Sequence, residues 1–122
     1  MPRYEVTRVE DVTVVEFEGI VVTRRFWWLG AVDALLLSGH RDLVVSFAGA
    51  RLQHLTDATL VAMIGQSVVG HGGHVVFVPP PGRRGAAKVR SVARDNGQPT
   101  APTVPDAVAA VRALRQPATP RR

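Results

Sequence analysis

Short apolar runs, separated by polar or glycine-containing segments, recur along most of the chain. Residues 43–47 (LVVSF) and His74–Val78 are apolar at nearly every position, and residues 57–69 between them carry apolar side chains at helical spacing. Strands without polar alternation are typical of a sheet covered on both faces, and a helix between two of them predicts a parallel crossover. The loop that enters this helix follows the carboxyl end of a strand, where open α/β folds tend to place functional residues.

The remaining pattern predicts strands and helices on both sides of this crossover. The predicted strands cover residues 4–9 and 12–17, and the predicted helices cover residues 24–38, 83–95 and 106–114. Residues 98–104 contain two prolines and allow at most a short edge strand. The order of elements predicts an α/β fold with α+β character, in which a mixed sheet of about four to five strands packs with about four helices.

Length and composition indicate one folded domain. The chain has 122 residues, of which 46% are apolar, and this suits a single hydrophobic core. We expect the domain to span residues 1–115. Residues 116–122 contain two prolines and few residues to bury, which predicts a disordered tail.

The formal net charge of +5 raises the question of a nucleic-acid partner. The arginines are dispersed, however, and nothing in the sequence suggests an aromatic and basic platform for bases. The densest basic stretch is residues 83–94, which a solvated helix face explains as well. Nucleic acid is therefore not the expected partner.

No segment approaches the roughly 20 consecutive apolar residues that a membrane span requires. The first residues enter a strand pattern directly, without the apolar core of a signal peptide. We therefore expect a cytoplasmic protein with no membrane span.

The sequence offers little for catalysis or metal binding. It has no cysteine, and its four histidines do not show the spacing of a metal site. His71 and His74 are expected to be ordinary turn and strand residues. No nucleophile with a matching base and no phosphate-binding glycine loop is recognisable. We expect no enzymatic activity, no cofactor and no metal.

The helix that follows Thr56 has two notable features. Thr56 is positioned to cap it, since a threonine hydroxyl can accept from the free amides of a first turn, and Asp57 favours the same positive end. Ala58, Val61, Ala62, Gly65, Val68 and Val69 are predicted to form its buried face, which leaves Leu60, Met63 and Ile64 largely outside. A helix that is apolar nearly all round is either deeply buried or covered by a partner, including a second copy of the chain.

These residues resemble the STAS domain family, which includes bacterial anti-sigma factor antagonists. The family typically has an apolar strand, Leu-Ser-Gly, Asp-Ser-Ser-Gly, an apolar helix, Gly-Gly and another apolar strand. The corresponding segments here are VVSFAG at residues 44–49, GGHVVFV at residues 72–78, and an alanine-rich helix at residues 105–111. The resemblance covers about residues 4–114 and implies the STAS fold.

Counting from either glycine segment aligns residues 54–57 with Asp-Ser-Ser-Gly, so that Thr56 falls on the serine that antagonists present to a kinase. His54 and Asp57 then replace the leading acid and the closing glycine, and a shifted register would instead align residues 57–58. The resemblance implies a kinase-type anti-sigma factor as partner, Thr56 as phosphoacceptor candidate, and contacts from His54 and Asp57. The apolar pattern of the helix adds Leu60 and Ile64 as expected contacts. An accessory subunit of a transport ATPase, or a scaffold without a phosphorylation switch, are the alternatives.

Overall fold

In the computed structural model, residues 3–21 and 27–115 are described, with side chains from Leu29 onward in the second range. The elements are β1 (Arg3–Val9), β2 (Val12–Val21), α1 (Trp27–Leu37), β3 (Asp42–Leu52), a 3-10 helix (Leu55–Ala58), α2 (Thr59–Gly70), β4 (His74–Val78), α3 (Arg83–Asp95) and α4 (Val104–Arg115). This is the predicted order. The predicted start of the first helix at residues 24–26 and the predicted tail at residues 116–122 lie outside the described residues.

The four strands form one mixed sheet in the order β1-β2-β3-β4. β1 and β2 are an antiparallel hairpin whose tight turn places Glu10 in the left-handed region, with φ 58°. β2 pairs with β3 and β3 pairs with β4 in parallel. The prediction that the strand at residues 43–47 and the strand at residues 75–78 are parallel, with a helix between them, is confirmed.

β3 is longer than predicted, and β2 continues into residues 20–21, for which the sequence allows either strand or loop. β2 continues to Val21 and β3 to Leu52, although residues 48–52 were predicted to be loop. The two extensions pair with each other, and a register shift between Glu16 and Glu18 accommodates them. Because each extension supplies the hydrogen bonds of the other, neither needs a strand-like apolar pattern of its own.

Helices cover both faces of the sheet. Alternate residues of β2, β3 and β4 point to opposite sides, so each strand contributes to two cores. One core, which includes Phe17, Phe47 and Phe77, packs against α1, α2 and α3. The other, which includes Val44 and Val76, packs against α4. The covering of both faces explains why β3 and β4 are apolar nearly throughout.

α2 is buried over a wide arc because it lies on the sheet and packs against both α1 and α3. A hydrogen bond from the Ser67 hydroxyl to the Asp33 carboxylate also joins it to α1. Leu60 and Ile64 are 1% and 0% exposed, whereas Val69 is 56% exposed. Ala58, Val61, Gly65 and Val68 of the predicted face are buried, so the buried side of the helix is wider than predicted rather than differently oriented. The prediction that Leu60 and Ile64 face a partner is wrong. Both are core residues of a single chain.

Candidate functional site

The segment that the sequence singled out lies where the parallel strands end. After β3, the Gln53 amide still donates to the Val21 carbonyl at 3.1 Å, and the chain then turns into the 3-10 helix. His54 still has extended backbone angles, with φ −132° and ψ 154°, and the 3-10 helix begins directly after it at Leu55. This turn is at the carboxyl edge of the sheet, as the crossover pattern predicts.

Asp57 holds the turn together. Its carboxylate Oδ2 accepts a hydrogen bond of 2.8 Å from the His54 amide, and its own amide donates to the His54 carbonyl at 3.0 Å. The Asp57 residue is only 8% exposed. This reciprocal pair fixes the backbone between the two residues, so Asp57 acts as a positioning residue and offers little surface for a partner.

Thr56 does not cap α2, contrary to the prediction. α2 begins at Thr59, with Ala58 at the N-cap position and without a side-chain cap. The 3-10 turn delays the start of the α-helix, and Asp57 supplies the local side-chain hydrogen bond instead. The Thr56 side chain is left exposed at the surface.

His54, Leu55 and Thr56 together form a short exposed segment, which we call the exposed turn. Leu55 is 45% exposed although it is a large apolar residue. A single exposed apolar side chain is common on protein surfaces, and Leu55 supplies apolar area beside the Thr56 hydroxyl. Leu55 was not among the residues selected from the sequence; its only signal was an apolar residue flanked by polar ones in a predicted loop.

An open depression of about 380 Å³ lies near the exposed turn at the same edge of the sheet. Its walls are Gly19, Ile20, Ala48, Gly49, Ala50, Arg51 and Pro81. Ile20 is 41% exposed, and Arg51 precedes His54 by three positions. The carboxyl edge therefore presents apolar and cationic side chains next to the exposed turn, a mixture suited to a protein contact.

An ionic cluster with a structural role lies at the other end of the parallel strands, where β3 and β4 begin. Arg115 of α4 pairs with Asp11 and, at 3.2 Å, with Asp42. The hydrogen bond from Arg115 lowers the pKa of the Asp11 carboxyl. His74 also contacts Asp42, with 3.1 Å between Nδ1 and Oδ1. These contacts fasten α4 to the hairpin and to β3.

Two histidines from the sequence analysis have ordinary local partners. The His71 Nδ1 lies 2.9 Å from the Ser67 carbonyl at the end of α2, and His74 belongs to the ionic cluster. Within residues 3–21 and 27–115, no three histidine or acidic side chains are grouped to hold a metal ion. No helix in the same ranges is long and apolar enough to span a membrane.

Replacement of Asp57 and Thr56 by alanine should separate their roles. Asp57→Ala removes a buried charged acceptor from the His54 amide and should lower the free energy of unfolding by about 1.5–3 kcal/mol. Thr56→Ala should change it by less than about 0.5 kcal/mol, because Thr56 is exposed and does not cap the helix. Urea denaturation of both variants measures the difference. An equal loss in the two variants would restore the capping role of Thr56.

Comparison with known proteins identifies the fold. No protein-family model matches the chain, and no curated protein matches it. Solved structures do. An anti-sigma factor antagonist from Mycobacterium paratuberculosis superposes with a TM-score of 0.74 at 21% identity, over 92% of this chain and 95% of the other.

Two further structures agree. The anti-sigma factor antagonist SpoIIAA in its unphosphorylated form gives a TM-score of 0.64 at 13% identity, over 93% of this chain and 98% of its own. A variant of RsbS from Moorella thermoacetica gives 0.66 at 18% identity, over 92% and 97%. These likenesses extend over nearly the whole of every chain compared. The protein has the STAS fold, in the form found in the anti-sigma factor antagonists.

Proposed function

We propose that this protein is a non-enzymatic regulator of the anti-sigma factor antagonist kind, which binds a kinase-type anti-sigma factor through the exposed turn. The observation that carries the proposal is the position of Thr56. It is an exposed hydroxyl in a turn braced by Asp57, at the carboxyl edge of a sheet with the antagonist fold. The proposal includes the anti-sigma factor as the partner and a cytoplasmic location for the protein.

The exposed turn suits protein recognition because it is both rigid and accessible. The hydrogen bonds between His54 and Asp57 restrict the backbone, so little conformational entropy is lost when a partner binds. Leu55 supplies apolar area, while His54 and Thr56 supply polar groups. These three side chains are the proposed contacts, and Leu60 and Ile64 are not among them.

Phosphorylation of Thr56 is proposed to be weak or absent. A phosphate would add about −1.5 to −2 charges one residue from the Asp57 carboxylate, and the two negative groups would repel. The Asp57 carboxylate is committed to the His54 amide, so it remains in the same turn. The positive amino-terminal end of a helix stabilises a phosphate, but the Asp57 carboxylate already places a negative charge there. A partner would then be bound without a phosphorylation switch.

The test begins with affinity capture from the native cell, followed by mass spectrometry to identify the partner. The purified partner and the protein are then mixed with ATP, and phosphate is followed by intact mass. We expect a stable complex with an anti-sigma factor and little or no phosphate. Thr59→Ala is the matched control for Thr56→Ala, because Thr59 is another exposed threonine three positions further on.

Each outcome is informative. Rapid, stoichiometric phosphate that Thr56→Ala abolishes and Thr59→Ala leaves intact would overturn the absence of a switch and indicate an ordinary antagonist cycle. Recovery of a transport ATPase in place of an anti-sigma factor would overturn the proposed partner. Loss of the complex in a Leu55→Asp variant that still folds would support the exposed turn as the contact.

A further inference from the structure

α3 presents a dense positive surface. Of its residues, Val89 and Ala93 are the buried ones, and they fix the side that faces the core. The exposed side carries five cations, which are Arg83, Arg84, Lys88, Arg90 and Arg94. The only acidic residue of the helix is Asp95. We call these five side chains the basic face.

The basic face has little internal neutralisation. Among the described residues, Arg94 is its one member with an ion pair, a 3.9 Å contact with Asp95 between two largely exposed side chains. Elsewhere in the described part, Arg3, Arg112 and Arg115 pair with acids on other elements or turns, whereas Arg8, Arg41 and Arg51 have no ion pair and are scattered over β1, the position before β3 and the end of β3. The positive charge of α3 is therefore available to an external partner.

Local helix stability does not explain this arrangement. The first turn of α3 contains Arg83 and Arg84 and no acidic residue. Its N-cap residue is Gly82, which has no side chain to cap the helix. Cations at the amino-terminal end of a helix oppose its dipole and disfavour the helix. These two arginines weaken the element that carries them.

The basic face begins close to the exposed turn. α3 packs against the 3-10 helix that contains Leu55 and Thr56. Arg83 and Arg84 also follow β4, so they lie at the carboxyl edge of the sheet together with the exposed turn. A partner seated on the turn would meet the first part of the basic face.

We propose that the basic face of α3 binds an acidic surface on the protein partner, next to the contact made by the exposed turn. This inference rests on the proposed function and adds the charge of the partner's surface to it. Charge complementarity of this kind mainly accelerates association and excludes wrong partners. A single-stranded nucleic acid is disfavoured because the exposed side of α3 has no aromatic residue on which a base could stack, and binding of a duplex is an outcome of the test.

The test compares two doubly neutralised variants against the captured and purified anti-sigma factor. Arg84→Gln/Lys88→Gln removes two charges from the basic face. Arg3→Gln/Arg8→Gln removes two exposed charges from β1, which is the outer strand on the far side of the sheet from β4. Surface plasmon resonance at about 50 and 200 mM salt gives rates and their salt dependence. We expect the α3 variant to bind about tenfold more weakly at low salt, mainly through slower association, and the β1 variant to bind like the wild type.

The outcomes separate this inference from the proposed function. Failure of the wild type to bind any anti-sigma factor would overturn both. Normal binding by the wild type together with unchanged binding by the α3 variant would overturn the basic face alone, as would equal weakening of the two variants. Binding of the wild type to a duplex of about 20 base pairs, lost in the α3 variant while anti-sigma factor binding persists, would assign the face to nucleic acid. Thermal melts should show the α3 variant folded and at least as stable as the wild type, because Arg84→Gln removes a positive charge that opposes the helix dipole.

Discussion

Truncation of Ile64 to alanine is expected to lower the free energy of unfolding by about 2–5 kcal/mol. Ile64 is 0% exposed and belongs to the core between the sheet and the three helices α1, α2 and α3. Removing three carbon atoms there leaves a cavity that close-packed neighbours fill only in part. Such a loss is a large share of the stability of a small domain.

Val69→Ala is the matched control for this prediction, since Val69 lies on the same helix but is 56% exposed. It should change the free energy of unfolding by less than about 0.5 kcal/mol. Urea denaturation measures both variants, and size-exclusion chromatography reports their association state. If Ile64→Ala kept full stability but altered self-association or partner binding, the placement of this side chain in the core would be refuted.

Replacement of Gly73 by alanine is the second change with a large expected effect, a loss of about 3 kcal/mol. A Cβ at this position would lie 2.3 Å from the Arg41 carbonyl oxygen and 3.0 Å from Cγ1 of Val68. The carbonyl cannot move freely, because it accepts a 2.9 Å hydrogen bond from the His74 amide where β4 pairs with β3. Relief of the clash must therefore disturb the start of the parallel pairing.

Gly70→Ala provides the comparison, because a Cβ there would meet no atom within 4 Å. Gly70 ends α2, where alanine is favoured over glycine by up to about 1 kcal/mol, so this variant should be neutral or slightly more stable. Thermal denaturation of the two variants side by side measures the difference. Similar melting temperatures for both would contradict the close approach at Gly73.

The burial of α2 changes where a partner can bind. With Leu60 and Ile64 in the core, the apolar character of this helix is explained by α1, α3 and the sheet, and self-association through these residues has no support. The accessible surface near Thr56 includes the exposed turn, the open depression at the same end of the strands and the start of the basic face of α3. The proposed interface therefore combines one apolar side chain, one hydroxyl and several cations, and its affinity should depend strongly on salt.

Several features were determined by the sequence alone, because they depend on local patterns. The apolar runs at residues 43–47 and 75–78, separated by a helix-length segment, are sufficient to predict the parallel crossover. The strands at residues 4–9 and 12–17 were also predicted, and the helix at residues 83–95 was predicted with its observed bounds. Neighbouring residues of one segment decide these features, since side-chain periodicity and turn residues act within a few positions.

Tertiary structure decided the width of the buried side of α2 and the length of β3, and the geometry of the turn decided where α2 begins. The width of the buried side of α2 depends on α1 and α3, which flank it. A segment that is apolar nearly all round does not show where its buried side ends. The role of Asp57 rather than Thr56 at the turn depends on a 3-10 helix that the alternation of residues does not encode. The extension of β3 to Leu52 depends on the hydrogen bonds supplied by β2. For α2 and β3 the deciding contacts join residues on different elements, and a pattern within one element carries no information about them. At the turn, the deciding hydrogen bond joins His54 and Asp57, which are only three positions apart.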